Sequence, residues 1–362
     1  MKESIESSDR MIFTSVEISR RELLRAGVSL GVTISGLGIV SGCAAPEAHK
    51  DSITPTKEIF DYKIYPPNEG CFVGFYKRDV PSRCIHHYNK TLSAKPSLFA
   101  LWQLLSEGFP MVETETIKDN GVLPYVNVYP GLTVQKGWKT IFDSDEVAKG
   151  TCDSYIKQIA KYAVRFGKKH GSFFFTTMAE CNAAWWPWSR TPHTTQAIRH
   201  FWEIFEDEGA NKYATWTWEA FCPTGYQNTS YGSLVSDPES YYPGVKYVDW
   251  IGMNVFANLK NRSIKENTMF RDLLTPTYEL MVKNHPQKTM MISEFGRTPG
   301  ENQPLWLIDA YGSMRKEFPR IKSAIYYDNV TDVYGGQDHR LDQRSLNTIN
   351  DIFKDPYWIM AK

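Results

Sequence analysis

Short apolar runs recur along the chain at intervals that are typical of a regular repeat of strands and helices. Eight of these runs are rich in β-branched or aromatic residues and have the length of buried strands. The predicted strands span residues 71–76, 97–104, 123–128, 173–178, 213–218, 248–254, 289–293 and 321–327. They are largely uncharged, which is the pattern of strands that are covered on both faces.

Helical patterns lie between these runs. In the clearest one, Tyr155, Ile159, Tyr162, Ala163 and Phe166 have the spacing of one helix face. Further patterns lie near residues 193–205, 269–283, 304–318 and 345–353. Strands and helices that alternate in this number predict an α/β fold, a single parallel (β/α)8 TIM barrel.

The charges of the chain balance, with 41 basic and 41 acidic residues among 362. A neutral balance gives no indication of nucleic acid or of an anionic polymer as a partner. Aromatic residues make up 14% of the chain, which suits a protein that handles sugars, although large cores also use aromatic residues. No spacing typical of a zinc site is present, so we expect no metal and no cofactor.

The fourth predicted strand runs directly into a group of functional side chains. Glu180 follows it, and Asn182, Trp185, Trp186 and Trp188 come next. A carboxylate at the end of a parallel strand lies where (β/α)8 barrels carry their chemistry. Flat rings beside a carboxylate suit the apolar faces of a pyranose. A salt-bridged glutamate at the end of the strand is the structural alternative.

A second apolar strand ends in a glutamate, Glu294, which is followed by Phe295 and Gly296. One βα unit takes about 30 residues or somewhat more, so Glu294 lies roughly three units after Glu180. This separation places the two glutamates on strands 4 and 7, at the same mouth of the barrel. Two carboxylates that face each other across a cleft are the catalytic equipment of a glycosidase.

Several motifs, in the same order, resemble those of family-26 glycoside hydrolases, a (β/α)8 group best known for β-mannanases. Residues 179–183, Ala-Glu-Cys-Asn-Ala, and 185–188, Trp-Trp-Pro-Trp, are similar to the family's acid/base segment, His-Glu-Met-Asn-Gly followed by Trp-Tyr-Pro-Trp. Residues 294–296, Glu-Phe-Gly, resemble its nucleophile segment. Residues 241–252 and 338–357 resemble its approach to strand 6 and its closing segment.

The resemblance implies a retaining hydrolase of a β-linked polysaccharide or oligosaccharide, most similar to endo-β-1,4-mannanases. Glu294 is then the nucleophile and Glu180 the acid/base of a double displacement. Strand ends supply further candidates, of which Trp218 and Tyr327 have core packing as their alternative. The candidate substrate-binding residues are Asn182, Trp185, Trp186, Trp188, Trp218, Asn254, Phe256 and Tyr327.

Three positions depart from the family pattern. Ala179 stands where the family has His, Ala183 where it has Gly, and Phe256 where it has a Tyr that hydrogen-bonds the nucleophile. Loss of the His and of the Tyr hydroxyl alters the control of both carboxyl pKa values. A catalytically impaired barrel that binds glycan is therefore one alternative. A lipid-anchored sugar-binding protein of a transport system, which has two lobes, is another.

The first 42 residues have the pattern of an export signal. Residues 19–25, Ser-Arg-Arg-Glu-Leu-Leu-Arg, resemble a twin-arginine motif, and an uncharged run over 26–40 follows them. This run is shorter than the about 20 residues that a bilayer-spanning helix needs. Residues 40–43, Val-Ser-Gly-Cys, are similar to a lipoprotein cleavage site with Cys43 as the acylated residue. An ordinary anchor helix is the alternative.

These patterns divide the chain into three parts. Residues 1–42 are the predicted signal peptide, 43–66 a tether, and 67–362 the catalytic barrel. We expect an exported monomer that is attached to a membrane through a lipid on Cys43. It would lie on the outer side of a prokaryotic cell membrane, or in the periplasm.

Acylation of Cys43 leaves five cysteines, so at least one thiol is free or pairs between molecules. Cys71 and Cys84 could form a disulfide outside the cell, although the sequence does not fix the pairing. Cys181 lies beside Glu180, and we interpret it as a small buried thiol rather than as a nucleophile.

Overall fold

Eight parallel strands close into a single barrel, as the sequence predicts. They are β1 Cys71–Tyr76, β2 Leu98–Leu104, β3 Leu123–Tyr129, β4 Phe173–Thr177, β5 Ala214–Phe221, β6 Trp250–Ala257, β7 Thr289–Arg297 and β8 Ile321–Tyr327. Consecutive strands pair in parallel, and β8 pairs with β1 from Ser323 beside Phe72 to Tyr327 beside Tyr76. The carboxyl ends of all eight strands therefore meet at one mouth.

The structure, a computed structural model, describes residues 62–133, 139–190, 192–224, 235–259, 264–331 and 337–361. The predicted signal peptide, its twin arginines and Cys43 lie outside these residues. Within the described ranges, no helix is both long enough and apolar enough to cross a membrane.

Helices flank the barrel on its outside. They are α1 Pro81–Thr91, α2 Met111–Asp119, α3 Ser144–Ala148, α4 Asp153–His170, α5 Thr194–Asp207, α6 Phe270–Asn284, α7 Gln303–Lys316 and α8 Gln343–Ile352. The five helices α4 to α8 match the helical patterns of the sequence. Helices α1 to α3 were not predicted; α2 and α3 have only 9 and 5 residues, which is too few for a clear periodicity.

Helix α4 shows how closely the periodicity defines a buried face. Ile156, Ile159, Ala163 and Phe166 are completely buried against the barrel. Tyr162, which the sequence analysis placed on the same face, is 38% exposed. Its position differs because the buried stripe runs through residues 156, 159, 163 and 166, so that Tyr162 lies at the edge of the stripe.

Three strands continue three or four residues beyond their predicted ends, and the extra residues lie at the mouth. Strand β5 runs on to Phe221, β6 to Ala257 and β7 to Arg297. The pairing of β6 with β7 is irregular between Met253 and Asn254, so that Asn254 pairs with Glu294. The extensions place polar and charged residues inside the strands of the mouth rather than in loops.

Residues 62–65, which the sequence analysis assigned to the tether, lie against the amino-terminal ends of β5 and β6. The Lys63 ammonium group pairs with Asp249 at 2.7 Å. The backbone N–H of Ile64 donates to Thr215 Oγ1, and its carbonyl oxygen accepts from the Trp250 indole. This end of the barrel is opposite to the mouth.

All five cysteines in the described part of the chain are buried and free. Cys71 and Cys84 therefore do not form the disulfide that the sequence left open. Cys181 is completely buried, and burial raises the pKa of its thiol well above the ordinary value. A thiol that stays protonated is a poor nucleophile, so the interpretation of Cys181 as a buried packing residue is confirmed.

Candidate active site

The chain turns sharply between the end of β4 and Glu180. Met178 and Glu180 both have left-handed backbone conformations, with φ of 51° and 53°. This conformation costs a non-glycine residue about 1–2 kcal/mol. Neighbouring groups hold the turn, since the Trp188 indole donates to the Ala179 carbonyl oxygen at 3.0 Å and the Cys181 N–H donates to the Glu219 carbonyl oxygen at 3.2 Å. Strain that is held in this way is typical of a functional site.

The Glu180 carboxyl group is fixed by three donors. The indole N–H groups of Trp185 and Trp186 both donate to Glu180 Oε2 at 2.8 Å. The amide of Asn254 donates to Oε1 at 3.4 Å. Burial raises the pKa of Glu180, and these three hydrogen bonds oppose the rise because they stabilise the ionised form.

Glu294 lies inside β7 and is only 4% exposed. Burial raises its pKa well above the ordinary value, and the charges of Glu219 and Glu180 raise it further. The Trp102 indole N–H acts in the opposite direction. The structure therefore brings Glu180 and Glu294 to one mouth, where the charge on one carboxyl group affects the ionisation of the other.

A third glutamate, Glu219, lies between them on β5, and the sequence analysis missed it. It is 1% exposed, and the Tyr125 hydroxyl donates a short hydrogen bond to its Oε1. Burial raises the pKa of Glu219 to about 7, partly offset by the Tyr125 hydrogen bond. The signal for it was available, because Thr215, Thr217 and Glu219 alternate with large apolar residues along one strand.

Trp218 does not line the mouth, so its prediction as a sugar platform is wrong. Its indole N–H donates to the Tyr241 carbonyl oxygen at 3.1 Å, and its ring meets the ring of Tyr242 at 5.1 Å. The reason is the period of two in a strand: Thr217 and Glu219 point into the barrel, so Trp218 points out.

Asn182 and Trp188 are also structural in this arrangement. The Asn182 amide donates to the carbonyl oxygens of Phe221 and Ser236 and accepts from the Phe221 N–H. Trp188 is completely buried and stacks on Trp186 with ring centres 4.6 Å apart. Neither side chain is free to contact a substrate, and both were predicted to bind it; each instead holds the segment that carries Glu180.

The remaining predicted residues do meet at the mouth. The rings of Phe256 and Tyr327 lie edge to face at 5.6 Å. Burial raises the pKa of Tyr327, and the charge of Glu294 raises it further. Phe256 also lies 5.0 Å from the ring of His339, whose pKa burial lowers to about 4. His339 is therefore neutral at physiological pH.

Three aromatic residues that the sequence analysis did not name complete the wall. Tyr76 stacks on Trp102 at 4.6 Å and lies 5.1 Å from Tyr327. Tyr129 lies 5.4 Å from Trp102 and stacks on Trp186 at 5.2 Å. All three are at or near the carboxyl ends of β1, β2 and β3, and that position was the signal that could have identified them.

Gly252 makes room for the polar groups beneath the carboxyl pair. A Cβ atom there would lie 2.0 Å from Ser293 Oγ and 2.9 Å from Glu219 Cγ.

We expect Gly252→Ala to destabilise the fold by about 1–3 kcal/mol, because overpacking forces the surrounding strands apart. Thermal unfolding measures this. The control is Gly312→Ala in α7, where no atom lies within 4 Å of the added Cβ and where we expect no loss of stability. An unchanged unfolding temperature for Gly252→Ala would contradict the packing.

No group of three or more His, Cys, Asp or Glu side chains that could hold a metal ion occurs within the described ranges. The described residues of the mouth carry carboxyl groups that are surrounded by aromatic rings and indole donors.

A model of the glycosyl hydrolase family 26 domain matches residues 125–331, over half of the chain. The chain belongs to glycosyl hydrolase family 26. It is therefore a glycoside hydrolase, and the resemblance inferred from the motifs is confirmed. The family-26 match begins in β3 and ends just after β8, so it includes Glu180, Glu219 and Glu294.

Several solved structures share the fold at low identity. The family-26 domain of an endo-β-mannanase/endo-β-glucanase from Prevotella bryantii is 10% identical, with a TM-score of 0.60 over 81% of this chain and 91% of that one. A β-mannanase from Bacteroides ovatus is 14% identical, with a TM-score of 0.57 over 81% and 91%. A β-mannanase from a symbiotic protist of the termite Reticulitermes speratus is 11% identical, with a TM-score of 0.55 over 84% and 97%. No curated protein matches the chain.

Proposed function

We propose that this family-26 protein is a retaining hydrolase of a β-linked polysaccharide, with endo-β-1,4-mannanase activity as the first expectation. One observation carries the proposal: Glu180 and Glu294 share a mouth lined by aromatic rings, and the charge of Glu180 raises the pKa of Glu294. Two interacting carboxyl groups are the requirement of glycoside hydrolysis. The choice of β-mannan rests on the family and on the three similar solved structures, each of which comes from a β-mannanase.

In the first step, a Glu294 oxygen attacks the anomeric carbon while Glu180 gives its proton to the departing glycosidic oxygen. The bond to the leaving sugar breaks and a glycosyl ester on Glu294 forms. In the second step, Glu180 removes a proton from water, which attacks the same carbon and releases Glu294 as a carboxylate. Two inversions retain the anomeric configuration.

Burial raises the pKa of both carboxyl groups, but three donors oppose the rise at Glu180. Before substrate binds, a proton is therefore favoured more on Glu294 than on Glu180. The first step needs the reverse arrangement. A sugar with developing positive charge at its anomeric carbon favours ionised Glu294, so the proton moves to Glu180 as the reaction starts. Glu180 Oε1 carries it, because Oε2 accepts both indole N–H groups.

Asn254 fits this proton transfer. Its amide faces Glu180 Oε1, and its own Oδ1 has no hydrogen-bond partner among the described residues. Rotation of the amide by half a turn presents the oxygen to a protonated Glu180, since the two ends of an amide have nearly the same shape. Asn254 can thus serve the ionised and the protonated states in turn.

The aromatic wall provides the sugar contacts. Tyr76, Trp102 and Tyr327 form one group of rings beside Glu294, and Trp185 and Trp186 cover Glu180. Rings of this kind stack on the C–H faces of a pyranose, while their N–H and O–H groups reach its hydroxyls. The cleft is therefore suited to an uncharged sugar chain.

The experiment is reducing-sugar release from β-mannan, galactomannan, xylan, lichenan and β-1,3-glucan, with the viscosity of each solution recorded. We expect release from β-mannan, with viscosity falling well before much sugar is released, because endo-acting enzymes cut within the chain. Release from a different polysaccharide of the panel alone would support a hydrolase but would replace β-mannan as its substrate. Failure of folded protein to cleave any of the five would contradict the proposal.

The alternative is a barrel that binds glycan without cleaving it. Ala179 supplies no imidazole beside Glu180, and Phe256 supplies no hydroxyl to Glu294. Binding of manno-oligosaccharides without turnover would favour this alternative. A two-lobed sugar-binding protein of a transport system is excluded, because the strands form one closed barrel.

We also propose that the protein is exported and lipid-anchored through Cys43, on the outer side of a prokaryotic cell membrane. The support is the order of twin arginines, short apolar run and Cys43 in residues 19–43. Metabolic labelling with an alkyne fatty acid should mark the protein and should not mark a Cys43→Ala variant. Equal labelling of both would contradict acylation at Cys43.

A further inference from the structure

Glu219 is a carboxyl group in the barrel interior that neither step of the proposed reaction uses. The Tyr125 hydroxyl donates to its Oε1, while its Oε2 has no hydrogen-bond partner among the described residues. The backbone of the same residue accepts from the Cys181 N–H, so the strand is joined directly to the turn that carries Glu180. Glu219 is therefore rigidly placed next to the catalytic pair.

The surroundings of Glu219 are shaped to hold a carboxyl group. It pairs across β5 and β6 with Gly252, whose missing side chain leaves the space that Glu219 and Ser293 occupy. Asn254 lowers the pKa of Glu219, and its side-chain amide donates to Glu180 Oε1. One amide thus contacts a catalytic carboxyl group and stabilises this third one.

The titratable groups that face Glu219 come from three elements. They are Tyr125 and Tyr129 from β3, Glu180 and Cys181 from the segment after β4, and Glu294 from β7. All five are acids, so none offers a compensating positive charge. A negative charge on Glu219 therefore makes it harder for its acidic neighbours to lose a proton.

We propose that Glu219 is a positioning residue of the active site, whose negative charge keeps a proton on the Glu180–Glu294 pair as the pH rises. The inference rests on the roles proposed above for that pair. Its consequence is that Glu180 remains a competent acid at a higher pH than it would without Glu219. The pKa of Glu219, about 7, places the formation of this charge within the physiological range.

The test is the pH dependence of kcat/KM on β-mannan for the wild type and for Glu219→Gln. Glutamine keeps the shape and an oxygen for the Tyr125 hydroxyl, but it cannot ionise. We expect both limbs of the bell-shaped profile to move to lower pH, and the alkaline limb to move by about one unit or more, since a like charge is removed from the pair. Limbs that stay in place while the maximum falls would show a purely structural role and overturn the inference.

Tyr125→Phe is the second variant and covers the case in which Glu219→Gln does not fold. Loss of the phenol hydroxyl raises the pKa of Glu219, because the hydrogen bond stabilises the charged form. The negative charge of Glu219 then forms only at higher pH. We therefore expect the alkaline limb of the kcat/KM profile to move to lower pH, as in Glu219→Gln, but by a smaller amount. An alkaline limb that moves to higher pH would overturn the inference.

A readout without substrate separates this inference from the proposed function. Carbon-13 NMR of protein labelled at the glutamate carboxyl carbons follows the ionisation of Glu180 and Glu294 directly, with Glu180→Gln and Glu294→Gln used for assignment. In Glu219→Gln we expect both groups to ionise at lower pH. If no glycan is cleaved but Glu180 and Glu294 ionise at lower pH in Glu219→Gln, the proposed function fails, and the coupling between the charge of Glu219 and the ionisation of the pair is supported. If hydrolysis occurs and the titrations are unchanged, the coupling fails alone.

Discussion

Glu294→Gln is expected to reduce kcat on the cleaved polysaccharide by about 10⁴-fold or more, because the attacking oxygen is replaced by an amide that is not nucleophilic. This corresponds to about 5 kcal/mol of lost transition-state stabilisation. Initial rates measured with the wild type and the variant side by side give the ratio. A loss of less than tenfold would contradict the role of Glu294 as nucleophile.

The unfolding temperature of Glu294→Gln is the control for this experiment. The folded state raises the pKa of Glu294, so it prefers the protonated form. At a pH below the ordinary pKa of a glutamate, Glu294 does not lower the free energy of unfolding. As the pH rises towards the pKa of Glu294 in the folded state, Glu294 lowers the free energy of unfolding progressively. Glutamine does not ionise, so the variant should unfold at the same temperature or higher at pH 7. A lower unfolding temperature would assign part of the lost activity to misfolding.

Glu180→Gln is expected to have an effect that depends on the leaving group. For the polysaccharide, whose leaving group is a sugar hydroxyl, loss of the general acid should lower kcat by about 10²–10⁴-fold. A dinitrophenyl glycoside of the same sugar needs no protonation, so its first step should be nearly unaffected. The glycosyl ester should then accumulate and give a burst of dinitrophenolate, because no base activates the water of the second step.

Glutamine is the appropriate replacement at position 180. Its side-chain oxygen can accept the indole N–H groups of Trp185 and Trp186, whereas Glu180→Ala would leave both donors unpaired at a cost of about 1–3 kcal/mol each. Azide should restore turnover of the dinitrophenyl glycoside by replacing water. Equal losses for the polysaccharide and the dinitrophenyl glycoside would show that Glu180 does not act as the acid.

The fold was largely predictable because buried parallel strands leave a simple signal. The bounds of β1 and β8 were predicted to the residue, and the others within a few positions. The largest errors lie at the carboxyl ends of β5, β6 and β7, where the apolar run stops before the strand does. Strand β5 was predicted to end at Trp218, although it continues through Glu219 to Phe221. Functional residues interrupt the pattern because the mouth needs polar groups inside its strands.

The motifs predicted that Glu180 and Glu294 lie at one mouth, and the structure places both of them there. Side-chain direction was not predictable from position alone. Trp218 lies one residue from Glu219 but on the opposite face of β5. Asparagine is a residue type that often hydrogen-bonds sugars, but the side chain of Asn182 hydrogen-bonds the backbone of Phe221 and Ser236 instead. The left-handed turn at Met178 and Glu180 carries no glycine that would have indicated it.

The measurement that tests the account most directly is trapping of the covalent intermediate. A 2-deoxy-2-fluoro-β-mannosyl fluoride forms the glycosyl ester readily and slows its hydrolysis, because the fluorine beside the anomeric carbon disfavours positive charge there. Intact-protein mass spectrometry should show one added sugar, and peptide mapping should place it on Glu294. An adduct on Glu180 or Glu219, or full hydrolytic activity without any adduct, would contradict the assignment of Glu294 as the nucleophile.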